Sequence, residues 1–386
     1  MPKKGEMLLC VLLLLFTQRG IADELRLGFT GPLTGPNALL GQQAVRGIEL
    51  GFKRLNASGK LNYRLVLHAL DDGYEPSRTV PQVMKLIHDD SIKAIIGSIG
   101  TPTNLASLDV LAKYNIPLIA PLSGARSLRQ SDSKPFIFNT RADYAEEAKN
   151  LIEALTNHYG INPNEVAILA QKDSFGDSGL ANTLKELKNA GLEDPSNILQ
   201  IRYQRNSISA DNAVADILSV YPTPKAIIMI STYEISANLV MQLEQLGIRP
   251  IYASFSYSGL ETLYKKVQKY KANIIVTQTT PSFSDTRSML INQLLEDMKD
   301  FGDFDPPTTV QFESYINTLI LGNALLPLKQ LPTSQQIEDG LKQLIAENHD
   351  YKGPSELQFL NPENRHVWVN IIKDGVIEEL SVTNNH

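Results

Sequence analysis

The strongest constraint on this chain is a rhythm. Short apolar runs of strand length alternate with longer amphipathic stretches, and the series is run through twice. Residues 25–29, 63–70, 93–97 and 117–120 read as strands, and residues 38–56, 76–89 and 102–114 between them read as helices. In the first helix Leu40, Ala44, Ile48 and Leu55 fall on one face at helical spacing. Pro76, Pro81 and Pro102 sit at or near helix starts, where a missing backbone N–H is tolerated. Strands of Ile, Leu and Val separated by helices point to parallel sheets covered on both faces.

The rhythm restarts after about residue 142, with helix 144–159, strand 165–170 and helix 175–189. Strand 198–203, helix 210–220, strand 225–230, helix 236–246 and strand 251–254 follow. A further strand, 273–277, leads into helices near 286–299, 310–326 and 334–346. The tail changes character: 356–359, 367–372 and 376–380 read as antiparallel strands, with turns at Asn361-Pro362 and Asp374-Gly375. Two successive α/β sets predict two lobes, each with its own sheet. Ligands bind such sheets outside the carboxyl ends of the strands. The loops that matter are therefore 28–35, 98–104 and 121–125 in the first half, and 171–176, 231–234 and 255–259 in the second.

The N-terminus has the layout of a secretory signal peptide over residues 1–22. Lys3 and Lys4 precede an apolar run from Met7 to Phe16, and Gly20 and Ala22 occupy the −3 and −1 positions of a cut after Ala22. The run is too short to cross a bilayer, and no second apolar segment approaches membrane length. Cys10, the only cysteine, lies inside this leader, so the processed chain is expected to rest on its core rather than on disulfides, without thiol chemistry. The net charge of −6 argues against nucleic acid and anionic membrane as partners.

Several catalytic readings fail. "GDSG" at residues 176–179 echoes a serine-protease nucleophile loop, but Leu180 follows it and no histidine and aspartate are placed for a triad. His68, His88, His158, His349, His366 and His386 show no metal-ligand spacing, and "GFTGPLTG" lacks the phosphate-binding glycine fingerprint. The expectation is a chain that is not an enzyme and needs no cofactor or metal.

Longer stretches carry a resemblance. "GFTGPLTGPNALLGQQAVRGIELGFKRLNASG", "DDGYEPSRTVPQVMKLI", "AIIGSIGTPTNLASLDVLAKYNIPLIAPLSGA", "FIFNTRADYAEEA" and "QKDSFGDSGL" resemble the periplasmic solute-binding proteins of the leucine/isoleucine/valine-binding type. The resemblance implies the type I periplasmic-binding fold, an α/β architecture of two lobes with three hinge crossovers. It implies lobe 1 from residues 25–141 plus 272–354 and lobe 2 from 142–271 plus 355–382. It also implies a periplasmic monomer that closes on a small polar solute (an amino acid, amide or related carboxylate). The closed form would be presented to the permease subunits of an ABC importer or, as the alternative, to a membrane sensor kinase or cyclase.

By the same resemblance, Thr101 with Thr103 and the loop Leu122, Ser123 and Gly124 hold the solute's carboxylate. Strand-to-helix loops do point free amides and hydroxyls at anions. Phe175, Tyr233 and Tyr257 form an aromatic wall on the lobe 2 side, and Leu40 or its neighbour stands where the family often carries an aromatic, which implies a roomier lobe 1 side. The family's ammonium-binding acid is missing, since the corresponding loop reads "SFSYSG". Asp143 or Glu234 is expected to replace it. Each of these residues also has a plainer reading: Thr101 and Thr103 as helix-start residues, Asp143 as an N-cap, Phe175 and Tyr233 as packing, and Glu234 as a solvated first-turn acid.

Overall fold

A computed structural model of the chain describes residues 23–129, 135–285, 287–353, 355–361, 366–373 and 376–380. The leader, Pro362 and the Asp374-Gly375 turn lie outside the described residues. The first sheet holds β1 (Glu24–Gly31), β2 (Arg64–Asp71), β3 (Ala94–Ile96), β4 (Leu118–Ile119) and β5 (Ile137–Phe138) in the order β2-β1-β3-β4-β5, all parallel. The second is built on β6 (Val166–Gln171), β7 (Gln200–Tyr203), β8 (Ala226–Ile230), β9 (Ile251–Ser254), β10 (Ile274–Gln278), β11 (Trp368–Lys373) and β12 (Val376–Glu379). Its order is β12-β11-β10-β9-β8-β6-β7, antiparallel only where β11 and β12 join. Every residue of β6, β8 and β10 is buried, as expected of strands covered on both faces.

The chain crosses between the sheets three times: after β5, after β10 and before β11. Between the second and third crossings it returns to the first lobe. There helix α1 (Ala38–Ala57) packs along a second helix, α2 (Thr309–Leu325), whose surface is buried almost all round. Their backbones meet closely: a Cβ on Gly47 would lie 2.1 Å from the Gln311 carbonyl oxygen.

Two details differ from the sequence reading. Strand β10 pairs with β9 in the second sheet, so residues 274–278 lie with lobe 2, and the first lobe's second segment starts after them rather than at 272. All five of its residues are buried, and periodicity alone does not say which sheet such a strand joins. Residues 356–359, expected as a strand, form a 3-10 turn (Glu356–Leu360) whose start is capped by Ser355. There Asn323 donates to the Glu356 carboxylate (2.7 Å) and Phe359 and Leu360 are buried. The short strand β5 and the helix Leu260–Val267 were not foreseen.

Candidate functional site

The loops leaving the first sheet are tied together by a bridge between Ile99 and Leu122. Thr101 opens the helix Thr101–Lys113, but its hydroxyl caps nothing; it sits 2.8 Å from the Ser123 hydroxyl, and both are buried. Thr103 instead turns back and donates to the carbonyls of Ile99 and Gly100, a role inside its own helix turn. The Leu122 amide donates to Ser98 O (2.9 Å) and the Ser123 amide to Pro121 O (2.8 Å). Much of the donor set that the resemblance gave to a carboxylate is thus engaged within the protein.

The space in front of these loops is filled by aromatic side chains. Tyr144, at the start of the helix Tyr144–Glu153, lies over Gly124 so closely that a Cβ there would be 2.5 Å from its Cδ1. Its hydroxyl is 3.5 Å from Thr101 Oγ1. Phe175 packs between Tyr144 (5.6 Å) and Tyr257 (4.7 Å), and Tyr257 meets Tyr74 at 6.0 Å. Tyr74 is fully buried with φ of 61°, in the left-handed region that bulky residues avoid. Its amide donates to Asp72 (2.8 Å), and its hydroxyl reaches the second lobe, where Gln171 donates to it (3.2 Å). Burial raises the Tyr74, Tyr144 and Tyr257 hydroxyls above their ordinary pKa, so they stay neutral.

On the hinge side, the first crossover carries Arg141, which is buried. Its Nη2 donates to Ser256 Oγ (2.5 Å), and its Nε lies 3.3 Å from Glu313 Oε1 without the alignment of a hydrogen bond. Burial lowers the Arg141 pKa, but the Glu313 and Glu147 carboxylates outweigh it and keep the guanidinium charged. Glu147 is fully buried and accepts from Ser256 N (2.8 Å), Ser256 Oγ (3.0 Å) and Thr277 Oγ1 (2.6 Å). A carboxylate therefore does reach the "SFSYSG" loop, supplied by the helix after the first crossover. Neither expected substitute stands there. Asp143 is the N-cap of that helix, accepting from Ala145 N (2.9 Å) and Glu146 N (3.0 Å), and Glu234 pairs with Lys266 (2.9 Å).

A narrow cavity opens between the lobes beside this network. Leu40, Ile99, Leu122 and Val310 give it an apolar wall, and Arg141, Ser256, Tyr257, Gln278, Thr309 and Glu313 a polar one. Of the residues expected at the site, it brings together Leu122 and Tyr257, with Leu40 opposite. Thr101, Thr103, Ser123, Gly124, Asp143, Phe175 and Tyr233 are not in its lining.

The cleft rim is clasped shut. Tyr233, on the second lobe, donates to Pro36 O (2.7 Å) and accepts from Leu39 N (3.3 Å) on the first; burial pushes its hydroxyl up to about 12. Arg205 joins Asp173 on its own lobe (2.9 Å) to Glu75 on the other (2.8 Å). Asn206 donates to Glu75 (2.6 Å) and Gly73 O (3.0 Å) and accepts from Asn37 (2.8 Å). Sequence reasoning missed Tyr74, Arg141, Glu147, Gln171, Gln278 and Arg205. The available signal was in "TRADYAEEA", where an arginine in a crossover precedes a pair of acids.

Two lobes closed over a cleft, with polar and aromatic side chains from both meeting at the strand ends, define a hinged binding protein rather than an enzyme scaffold. The chain matches the family model "Periplasmic binding protein" over residues 24–367, and it belongs to that family. Members are extracytoplasmic solute receptors; among the described residues no helix is long and apolar enough to cross a membrane.

The Leu/Ile/Val/Thr-binding protein of Salmonella typhimurium is 28% identical over 196 residues, covering 49% of this chain and 51% of that protein. The Leu/Ile/Val-binding protein of Escherichia coli K12 is 26% identical over 188 residues, 47% of this chain and 49% of that one. The chain thus spans about half the length of the curated relatives it matches. Among solved structures, a "possible leucine/isoleucine/valine-binding protein" of Rhodopirellula baltica superposes with a TM-score of 0.85 at 29% identity, covering 95% of this chain and 98% of that one. An ABC-transporter solute-binding protein of R. palustris in complex with benzoate shares the fold (TM-score 0.76, 15% identity, 93% and 96% covered).

Proposed function

We propose that the protein is the extracytoplasmic solute receptor of an ABC importer. It closes on one small polar solute in the interlobe cleft and presents the closed form to the permease as a monomer. The observation that carries this reading is the pairing of a closed, clasped rim with a cavity between the lobes, in a chain of this family. Binding energy released between the lobes drives closure about the crossovers, a hinge motion. The relatives named for Leu, Ile, Val and Thr favour a solute with an apolar part, and Leu40, Ile99, Leu122 and Val310 offer it a wall. Tyr257 lines the cavity from the second lobe with Phe175 packed on it, Tyr233 closes the rim, and Thr101 with Ser123 orients the Tyr144 hydroxyl.

The test is a thermal-shift screen of protein freed of carried-over solute, with amino acids, amides and short carboxylates. A solute at 100 times its Kd should add about 2.7 kcal/mol of stability. A hit that also compacts the protein in small-angle scattering supports the receptor reading. No hit in any class counts against it.

A further inference from the structure

A second cavity borders the cleft cavity at Thr309, the one residue common to both linings. It encloses about 260 Å³, against about 30 Å³ for one water in the liquid, so it has room for a small organic molecule. Leu260 and Glu261, at a helix start, and Asn370 and Ile377, on β11 and β12, line it from the second lobe. Pro307 and Thr309 line it from the first, and Ser282, Phe283 and Ser284, just past β10, complete the lining.

Two polar side chains in this lining lack what their chemistry calls for. Asn370 is fully buried, and neither its Oδ1 nor its Nδ2 has a hydrogen-bond partner. Leaving such a buried group unanswered is unfavourable, so it favours an occupant that both donates and accepts. Glu261 uses Oε2 to accept from Thr309 N (3.2 Å) and Thr309 Oγ1 (3.0 Å), but no basic side chain pairs with it among the described residues. Burial outweighs those hydrogen bonds and raises its pKa, as for a carboxylate without a countercharge. The surroundings are acidic as well. The strand register sets Glu379 directly opposite Asn370, and burial and the Asp285 carboxylate raise the Glu379 pKa. Asp285 itself is met by the exposed Arg287 (3.5 Å).

The set therefore selects a cation, and an organic one, since no three metal-ligating side chains gather among the described residues. An amino acid is disfavoured, because its carboxylate would enter beside Glu261 and Glu379. We propose that this cavity is a second ligand site, separate from the cleft, that binds a small amino alcohol with an apolar body. Its ammonium donates to Glu261 Oε1 and Asn370 Oδ1, its hydroxyl oxygen accepts from Asn370 Nδ2, and its alkyl group lies on Leu260, Phe283 and Ile377. The inference stands apart from the receptor reading and needs no particular cleft solute.

The test is isothermal titration of the full protein with leucinol and two compounds that each lack one of its polar groups. The Kd of 4-methylpentan-1-ol, without the amine, should be at least about tenfold above that of leucinol, and that of 4-methylpentan-2-amine, without the hydroxyl, about fivefold above it. Glu261→Gln, which keeps an acceptor for Thr309, and Asn370→Leu, close in volume, should each weaken leucinol by about tenfold. Gln278→Met, in the lining of the cleft cavity alone, should leave leucinol within about twofold. Leucinol binding that depends on Gln278 and is indifferent to Glu261 and Asn370 places the compound in the cleft and overturns the inference, while the receptor reading stands. Either lacking compound binding as tightly as leucinol overturns it too. Absence of leucinol binding in the millimolar range means that water alone meets Asn370 and Glu261, and it overturns this inference without touching the solute screen.

Discussion

The clasp formed by Arg205 gives a quantitative handle on closure. Its guanidinium spans Asp173 (2.9 Å) on its own lobe and Glu75 (2.8 Å) on the other, with side chains 22%, 11% and 34% exposed. A charge-assisted hydrogen bond contributes about 1.5–3 kcal/mol when dry, and an exposed ion pair about 0.2–1 kcal/mol. The partial exposure places the Arg205–Glu75 link at about 1–2 kcal/mol. Arg205→Ala removes little else. Asp173 keeps donors from Gln171 Nε2 (2.7 Å) and Phe175 N (3.0 Å), and Glu75 keeps Asn206 (2.6 Å). The closed-to-open ratio should therefore fall about 5–30-fold, and solute affinity by the same factor wherever the free protein is mostly open. The assay is energy transfer between dyes on cysteines introduced at Lys60 and Glu193, exposed positions on opposite lobes, in a Cys10→Ser background. Glu75→Gln keeps an acceptor for Asn206 and removes only the charge, so its effect should be smaller. A closed fraction unchanged by Arg205→Ala, or a coupling to Glu75 below about 0.3 kcal/mol in a double-mutant cycle, would refute the clasp.

Two stability predictions follow from buried residues of the first lobe. Burial pushes the Asp72 carboxyl up to about 6 from 3.8, against the hydrogen bonds it accepts from Tyr74 and Thr79. The folded chain then holds a proton that the unfolded chain has lost, so this group's contribution to stability falls as pH rises from about 4 to 6, by at most about 3 kcal/mol. Asp72→Asn should flatten the melting-temperature profile in that window; profiles parallel to wild type would show that Asp72 ionises normally. Gly47→Ala sets a methyl 2.1 Å from the Gln311 carbonyl oxygen and must push α1 away from α2, which should lower stability by about 1–3 kcal/mol in urea unfolding. A variant within about 0.5 kcal/mol of wild type would mean that the two helices slide apart freely.

The sheets and the helices around them were legible because their signal is local. A buried parallel strand is a short apolar run such as "AIIMI", and each following helix announces itself by period and by a proline or glycine at its ends. The assignment of β10 was not legible, because a fully buried strand carries no mark of which sheet it joins. The turn at 356–360 failed for the same kind of reason: Phe359 and Leu360 are buried, and burial alone does not separate a strand from a tight turn. At the site, two residues of the loops that the resemblance pointed to, Leu122 and Tyr257, line the cleft cavity. The Arg141–Glu147–Ser256 set was not legible, because its members are 6 and 109 residues apart and meet only where a crossover passes beside a loop.

The departures from the family's pattern are physically one arrangement. At Gly124 a side chain would collide with the Tyr144 ring (2.5 Å) and with the Tyr144 amide (2.9 Å), so the absence of a Cβ is what admits that tyrosine. Gly100 does the same for Tyr74, whose Cε2 would lie 2.4 Å from a Cβ there. With both rings in place, the Thr101 and Ser123 hydroxyls turn to each other and to Tyr144. A solute carboxylate would have to displace a buried, hydrogen-bonded phenol to reach them. The acid missing from the "SFSYSG" loop is then no loss, since Glu147 fills its place and is consumed by Ser256 and Thr277. The unspent hydrogen-bonding capacity in the cleft lining lies on Tyr257 and, at the hinge side, on Arg141 and Gln278. Arg141 and Gln278 sit on the crossovers themselves, the segments that connect the two lobes.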